Sequence, residues 1–76
     1  MIDLHERQLL QQVGAHIKAV REQKGYSLLY LASRLHTDNT TLDKIEHGEK
    51  NITMIMLLKL AAALGVRPGE LLNVEG

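Results

Sequence analysis

The segment SLLYLASRLHTDNTTLDKIEHG, residues 27–48, contains two short helical patterns on either side of a polar turn. Ser27 stands before the first pattern and Asp38 before the second, and both residue types cap helices by accepting backbone N–H groups. Gly48 follows the second pattern, at a position where glycine often ends a helix. The segment therefore predicts two capped helices joined by a tight turn.

Each of these two helices presents one apolar face. The first covers about residues 28–36 and the second about residues 39–47, and apolar residues recur in both at helical spacing. The inward positions are Leu31, Ala32, Leu35, Leu42 and Ile45. Two short helices joined by such a turn, here His36-Thr37-Asp38, form the helix-turn-helix pattern, and a helix presented in this way often reads DNA.

Glycine and proline divide the rest of the chain into three further helices. The first helix covers about residues 3–24, and Gly14 in its interior marks either close packing or a break. A fourth helix, capped by Thr53, covers about residues 54–64, and a fifth covers about residues 68–72. The predicted core face of the fourth helix is Met54, Leu57, Leu60, Ala61 and Leu64. The expected fold class is all-α, with five helices and no strands.

The composition agrees with a small helical domain. The chain has 76 residues, which is enough for one domain, and 45% of them are hydrophobic. Only 3% are aromatic, so the core must be built from aliphatic side chains. The formal net charge is zero. Because non-specific affinity for DNA comes mainly from phosphate neutralisation, we expect that affinity to be modest.

Several classes of site are not expected. The absence of cysteine argues against disulfide bonds and Cys-based metal sites, and it fits a cytoplasmic location. The N-terminus does not resemble a signal peptide, and no run is long enough to span a membrane. The histidines lack metal-ligand spacing, and no nucleophile–base pair or phosphate loop occurs. We therefore expect no metal, no cofactor and no enzymatic activity.

Over residues 13–72 the chain resembles the phage Cro/repressor-type (XRE-type) helix-turn-helix family. The resemblance rests on Ile17, Arg21, Lys24-Gly25, Ser27, Leu31-Ala32, Leu35, Leu42, Ile45-Glu46, Gly48, Asn51, Leu57, Leu60-Ala61, Ala63-Leu64-Gly65-Val66 and Glu70-Leu71-Leu72. It implies one lambda-repressor-like domain with its helix-turn-helix at about residues 28–47 and an extended first helix that begins in residues 1–12. Residues 51–53 and the chain length are also similar to small restriction–modification controller proteins.

The resemblance implies that the third helix lies in the major groove of double-stranded DNA. Asn39 can pair with adenine, Thr40 can touch a thymine methyl group, and Lys44 can donate to guanine. Asp43 can accept from cytosine, or repel a phosphate at wrong sites. The alternative is that these are solvated polar side chains without a ligand. The predicted phosphate contacts are Thr37, His47, Lys50 and Asn51.

The acidic residues of this segment have separate interpretations. Asp38 is a predicted helix cap, where negative charge is favoured. In the family, a Glu of the third helix pairs with an Arg of the first, and the resemblance implies that pair here for Glu46 and Arg21. Asp43 and Glu49 then remain as acids near the expected DNA surface.

The second helix departs from the family pattern at its start. Leu28 stands where the family usually has Gln, and Leu29 and Tyr30 follow where polar residues are usual. Either these residues pack against the first helix, or they form a hydrophobic patch for a protein partner. The hydroxyl of Tyr30 can still donate to a phosphate.

The fourth helix carries a second apolar stripe outside its core face. Ile55, Leu58 and Ala62 lie three and four residues apart, and Leu72 follows in the tail. A stripe without a target in the same chain predicts a homodimer interface. The alternative is that residues 1–12 cover the stripe.

Two functions remain open at this level. The first is a sequence-specific double-stranded DNA-binding transcriptional regulator that acts as a homodimer on paired half-sites. The second is a protein-interaction module on the same fold, such as an antitoxin or partner subunit, with weak or no DNA binding. The zero net charge and the apolar residues 28–30 motivate the second.

Overall fold

Five helices build the described part of the chain. The computed structural model describes residues 3–75, and these contain no β-strand. The helices are α1 (Leu4–Gln23), α2 (Leu28–Arg34), α3 (Asn39–Glu46), α4 (Met54–Leu64) and α5 (Pro68–Leu71). The predicted all-α, five-helix architecture is confirmed. Within residues 3–75, no helix is long and apolar enough to cross a membrane.

Side-chain caps set the starts of four helices. Ser27, Asp38 and Thr53 each accept the backbone N–H three residues later, at 3.0, 2.7 and 3.0 Å respectively. At the start of α1, Asp3 and Glu6 cap each other's backbone N–H groups. These bonds satisfy donors that the first turn of a helix leaves without partners. Local sequence therefore decides where these helices begin.

The turn between α2 and α3 shortens α2 relative to the prediction. α2 ends at Arg34 because His36 adopts a left-handed backbone conformation with φ of 56°. Histidine tolerates this region better than β-branched residues do. The turn redirects the chain so that α3 packs against both α1 and α2.

An aliphatic core lies between the helices. The buried hydrophobic residues are Val13, Ile17, Leu31, Ala32, Leu35, Leu42, Ile45, Leu57, Leu60, Ala61, Leu64 and Leu71. The prediction for α4 was wrong at Met54, whose side chain is 67% exposed. Met54 is the first residue of α4, and burial on this face begins one turn later, at Leu57. Helical spacing gave the correct face but not the point at which the helix meets the core.

α1 approaches the end of α3 closely at Gly14. A methyl group on Gly14 would lie 2.4 Å from the carbonyl oxygens of both Ile45 and Glu46. α1 nevertheless runs unbroken through this position. Of the two interpretations of Gly14, close packing is the correct one, because only a residue without a side chain allows the two backbones this near.

The C-terminal tail folds onto the other side of α1. The Gln12 side-chain amide donates to the Glu75 carbonyl at 2.8 Å and accepts the Glu75 N–H at 2.7 Å. His16 Nε2 lies 2.8 Å from the Asn73 carbonyl oxygen, which can only accept, so Nε2 donates. By helical geometry, Gln12 and His16 lie on the side of α1 opposite Gly14. α1 is therefore held between α3 and the tail.

Candidate nucleic-acid interface

The outward face of α3 is polar and accessible. Its exposed residues are Asn39, Thr40, Asp43 and Lys44. The opposite face of the helix buries Leu42, Ile45 and Glu46. The four predicted base-contact residues therefore share one exposed surface on a helix whose other side is fixed in the core.

Asp38 begins this helix, and its charge serves the helix rather than the surface. Its carboxylate accepts the Thr41 N–H at 2.7 Å. Hydrogen bonds from Thr41, first from its backbone, hold the pKa of Asp38 below its usual value, and Lys44 and Lys50 act in the same direction. A carboxylate at this position interacts favourably with the N-terminal end of the helix dipole.

His47 lies directly beside Asp43. His47 Nδ1 is 2.8 Å from the Asp43 carbonyl oxygen and 3.5 Å from the Asp43 carboxylate. Because the carbonyl can only accept, Nδ1 carries a proton in this arrangement, and a neutral ring then has no proton on Nε2. His47 therefore donates from Nε2 only in its protonated form, and the same protonation offsets the charge of Asp43.

The loop after α3 holds two further predicted contacts. Lys50 and Asn51 are exposed. Asn51 Oδ1 accepts the Ile52 N–H at 3.0 Å, so its amide nitrogen is the group left for donation to a phosphate. Thr37, in the turn before α3, is half-buried. The structure thus places Thr37 and the pair Lys50-Asn51 at opposite ends of α3.

Arg21 and Glu46 join α1 to α3 through a two-pronged ion pair. Arg21 Nε donates to Glu46 Oε2 at 2.7 Å, and Nη2 donates to Oε1 at 3.1 Å. Arg21 Nη1 also donates to the Tyr26 carbonyl at 2.9 Å. The hydrogen bond to Glu46 keeps the pKa of Arg21 above its usual value, although partial burial opposes this. The structure brings together the two residues for which the family resemblance implied a pair.

Burial makes this pair different from a surface ion pair. The Glu46 side chain is 1% exposed and that of Arg21 12%. A carboxylate so deeply buried requires its partner, because loss of one charge leaves the other desolvated and unpaired. Glu46 is therefore a structural acid that orients α3, and its charge does not face the outward surface.

The start of α2 combines packing with an exposed apolar patch. Leu28 is half-buried against the core, whereas Leu29 and Tyr30 are 63% and 42% exposed. The Tyr30 hydroxyl accepts from Arg34 Nη1 at 3.0 Å, and its own proton remains available for donation. Leu28 therefore packs toward the core, whereas Leu29 and Tyr30 remain exposed.

The second stripe on α4 is open to solvent. Ile55 is 61% exposed, Leu58 43% and Leu72 45%, and Ala62 is also exposed. Residues 3–12 leave this stripe uncovered, so the alternative in which they bury it is wrong for the described part of that segment.

The fold and interface together define a class of protein. Five helices carry a helix-turn-helix whose second member exposes a polar face, which is the arrangement of DNA-binding regulators. A family model described as Helix-turn-helix matches residues 17–71. The chain belongs to this family.

Relatives from several bacteria support this assignment. Control protein C.MunI from Mycoplasma sp is 31% identical over 61 residues, which cover 79% of this chain and 82% of that protein. The restriction–modification controller protein C.AhdI from Aeromonas hydrophila is 34% identical, with a TM-score of 0.78 over 82% of this chain and 94% of that one. The chain in the structure of the biofilm regulator SinR in complex with DNA is 35% identical, with a TM-score of 0.75 over 80% of this chain and 98% of that one.

Other relatives are much longer. The regulator RamB of Mycobacterium tuberculosis is 32% identical over 54 residues, which are 71% of this chain but 11% of RamB. The chain therefore spans about a tenth of the length of the RamB proteins it matches. All of these relatives carry names of regulators and not of enzymes, in agreement with the expectation from the sequence.

Sequence reasoning missed the contact between Asp43 and His47. The signal was present, because residues four apart on a helix are neighbours. The sequence predicts the two residues as separate DNA contacts, whereas the structure places the His47 ring next to Asp43.

Proposed function

We propose that this protein is a sequence-specific transcriptional regulator that binds double-stranded DNA as a homodimer, with α3 in the major groove. The observation that carries the proposal is the exposed polar face of α3 on a helix tied to α1 through Arg21 and Glu46. A reading helix must be held rigidly, because base contacts depend on exact placement of donors and acceptors.

The roles proposed for the α3 residues follow from their chemistry. Asn39 offers a donor and an acceptor for adenine, and Lys44 offers donors for guanine O6 or N7. Thr40 supplies a methyl group for thymine. Asp43 accepts from cytosine, or excludes sites where a phosphate would come too near.

Phosphate contacts fix the position of α3 without reading sequence. We assign this role to Thr37 before the helix and to His47, Lys50 and Asn51 after it. Because Nδ1 of His47 faces the Asp43 carbonyl oxygen, His47 can donate to a phosphate from Nε2 only when its ring is protonated. Few of these groups carry a permanent charge, so the salt dependence of binding should be shallow.

The homodimer is proposed to form through the exposed stripe on α4 and the tail. Ile55, Leu58 and Leu72 are large apolar side chains that are 61%, 43% and 45% exposed, and Ile55 and Leu58 lie three residues apart on one face of α4. A twofold axis through this surface would present two copies of α3 to half-sites about one helical turn apart.

Selection of bound sequences from random duplexes at a stated salt concentration tests the proposal. We expect a near-palindromic site with two half-sites. The double variant Asn39→Ala/Lys44→Ala should lose preference for that site while its far-UV circular dichroism stays unchanged. Lys59→Ala is the control, because Lys59 is an exposed cation on α4 rather than on α3. Unaltered site affinity in the double variant would remove both residues as readers.

The exposed pair Leu29 and Tyr30 favours one other function. An apolar patch beside the helix-turn-helix suits a protein partner, as in an antitoxin or a partner subunit. A stable complex with the product of a neighbouring gene, together with no salt-sensitive binding to any duplex, would favour this second function over the first.

A further inference from the structure

The first turns of α1 lie outside the part of the chain that the family explains. The family model begins at residue 17, whereas α1 begins at Leu4. The intervening residues form nearly four turns of continuous helix. Nothing in the family match assigns them a role, so any contact they make with a ligand has to be argued from where they lie.

Two contacts fix where this part of α1 lies. A methyl group on Gly48 would come within 2.5–2.7 Å of Gln11, including its backbone nitrogen and Cα. Further along the loop, Asn51 lines a small cleft of about 190 Å³ with residues of α1. The α1 residues of that cleft are Glu6, Leu9 and Leu10. The loop of residues 48–51 thus runs beside α1 from Gln11 toward its N-terminus.

Arg7 lies on the side of α1 that meets α3 and this loop. It is seven residues before Gly14, which is two helical turns, so the two residues share a face about 10 Å apart along the axis. Arg7 is also one turn before Gln11. Arg7 therefore lies between Gln11, which Gly48 approaches, and Glu6, which lines the cleft with Asn51. This places it next to the loop that carries Lys50.

The charge of Arg7 is not used within the described residues. Its side chain is exposed, and the ion pairs among residues 3–75 are those of Arg21 with Glu46 and of His47 with Asp43. The surface around α3 is nearly balanced in charge, with Lys44 and Lys50 against Asp43 and Glu49. Arg7 adds a cation beside the loop, and the acid of the neighbouring cleft, Glu6, is already hydrogen-bonded to the Asp3 N–H at 3.1 Å.

We propose that Arg7 binds a backbone phosphate of the DNA, next to the phosphate that the loop after α3 contacts. Arg7 lies before residues 17–71, which the family model matches. The guanidinium suits a phosphate because its fork of donors matches two phosphate oxygens. This inference rests on the proposed function and adds one phosphate contact to each subunit.

The test is the salt dependence of DNA binding by the full-length chain. The probe is a duplex of about 30 base pairs that carries the selected site, which holds two half-sites one turn apart with flanks. Each phosphate contact contributes about 0.9 to the slope of log K against log salt. Arg7→Gln should lower the slope by about 0.9 per subunit, or about 1.8 for a dimer. Its affinity deficit should then be about twelvefold larger at about 50 mM salt than at about 200 mM.

Two matched variants separate a phosphate contact from a structural effect. Arg7→Lys keeps the charge and should restore most of the slope. Arg67→Gln removes a cation from the start of α5, which follows the C-terminal end of α4, whereas the loop precedes the N-terminal end of α4. This variant should leave the slope of log K against log salt unchanged. Phosphate ethylation should interfere with wild-type binding at a flanking phosphate and no longer do so for Arg7→Gln.

The possible failures are distinct. An unchanged slope for Arg7→Gln, with wild-type binding intact, would overturn the role of Arg7 and leave the proposed function standing. Absence of salt-dependent binding by the wild-type chain would overturn the proposed function itself. A loss of slope in Arg67→Gln equal to that in Arg7→Gln would show a general charge effect and also overturn the specific contact.

Discussion

Removal of Glu46 should destabilise the fold far more than removal of a surface acid. In Glu46→Leu, the Arg21 guanidinium, 12% exposed, loses both of its bonds to the carboxylate and keeps only the Tyr26 carbonyl. Breaking a buried pair on one side costs about 3–5 kcal/mol. A chain of 76 residues has a total stability of about 4–11 kcal/mol. The single variant should therefore lose about a quarter or more of its free energy of unfolding.

The double variant Arg21→Met/Glu46→Leu sharpens this prediction. It removes both charges and fills the space with apolar side chains, which is often neutral or stabilising relative to a buried ion pair. We expect it to recover most of the loss seen in Glu46→Leu. Asp43→Ala serves as control, because Asp43 and His47 form a pair that is 53% and 51% exposed. That substitution should cost no more than about 1 kcal/mol.

Urea denaturation followed by far-UV circular dichroism measures all these variants. The slope with denaturant should stay constant, so that midpoints report stability alone. If Glu46→Leu lowers the free energy of unfolding by less than about 1 kcal/mol, the Arg21–Glu46 pair contributes no more than a surface ion pair does. That result would refute the argument from burial. A double variant as unstable as Glu46→Leu would show that the unpaired Arg21 is not the cause of the loss.

Three further predictions follow from the described contacts. Gly14→Ala should destabilise by about 1–3 kcal/mol in urea titrations because its methyl group would meet the carbonyls at the end of α3, whereas Gly69→Ala, with open space around it, should not. Leu58→Glu should yield monomers in sedimentation experiments while Lys59→Glu, beside the stripe, should not; a dimer in both would exclude the α4 interface. Because Asp38 has a lowered pKa when folded, its contribution to stability is present at neutral pH and is lost as pH falls through and below about 3.9. Asp38→Asn keeps a capping side chain but should lack this part of the acid sensitivity in urea midpoints measured across that range.

Features decided by a few neighbouring residues were predictable from the sequence. The caps at Ser27, Asp38 and Thr53 depend on one side chain and one backbone N–H three residues away. Helix starts therefore agreed with the prediction. Apolar spacing likewise gave the buried faces of the helices, because a helix repeats its face every 3.6 residues whatever it packs against.

Features that depend on tertiary placement were not predictable in the same way. Met54 matched the core spacing but lies before the point where α4 meets the core. The role of Gly14 remained open until the position of α3 was known. Arg21 and Glu46 are 25 residues apart, and only the family resemblance pointed to their contact.

The acids of the helix-turn-helix segment do not argue against DNA binding once their partners are known. Asp38 is used by the N-terminus of α3, Glu46 is buried against Arg21, and Asp43 lies within reach of His47. The remaining surface holds few permanent positive charges, so phosphate attraction supplies little affinity for random sequence. In the proposed homodimer, each α3 then contributes a weak half-site contact, and only a duplex with both half-sites correctly spaced gains the sum of the two. When the free chain is mostly monomeric, operator occupancy rises with the square of its concentration. In the proposed regulator, the low charge and the exposed α4 stripe would therefore act together, because specificity and a steep response to concentration would both come from pairing two subunits.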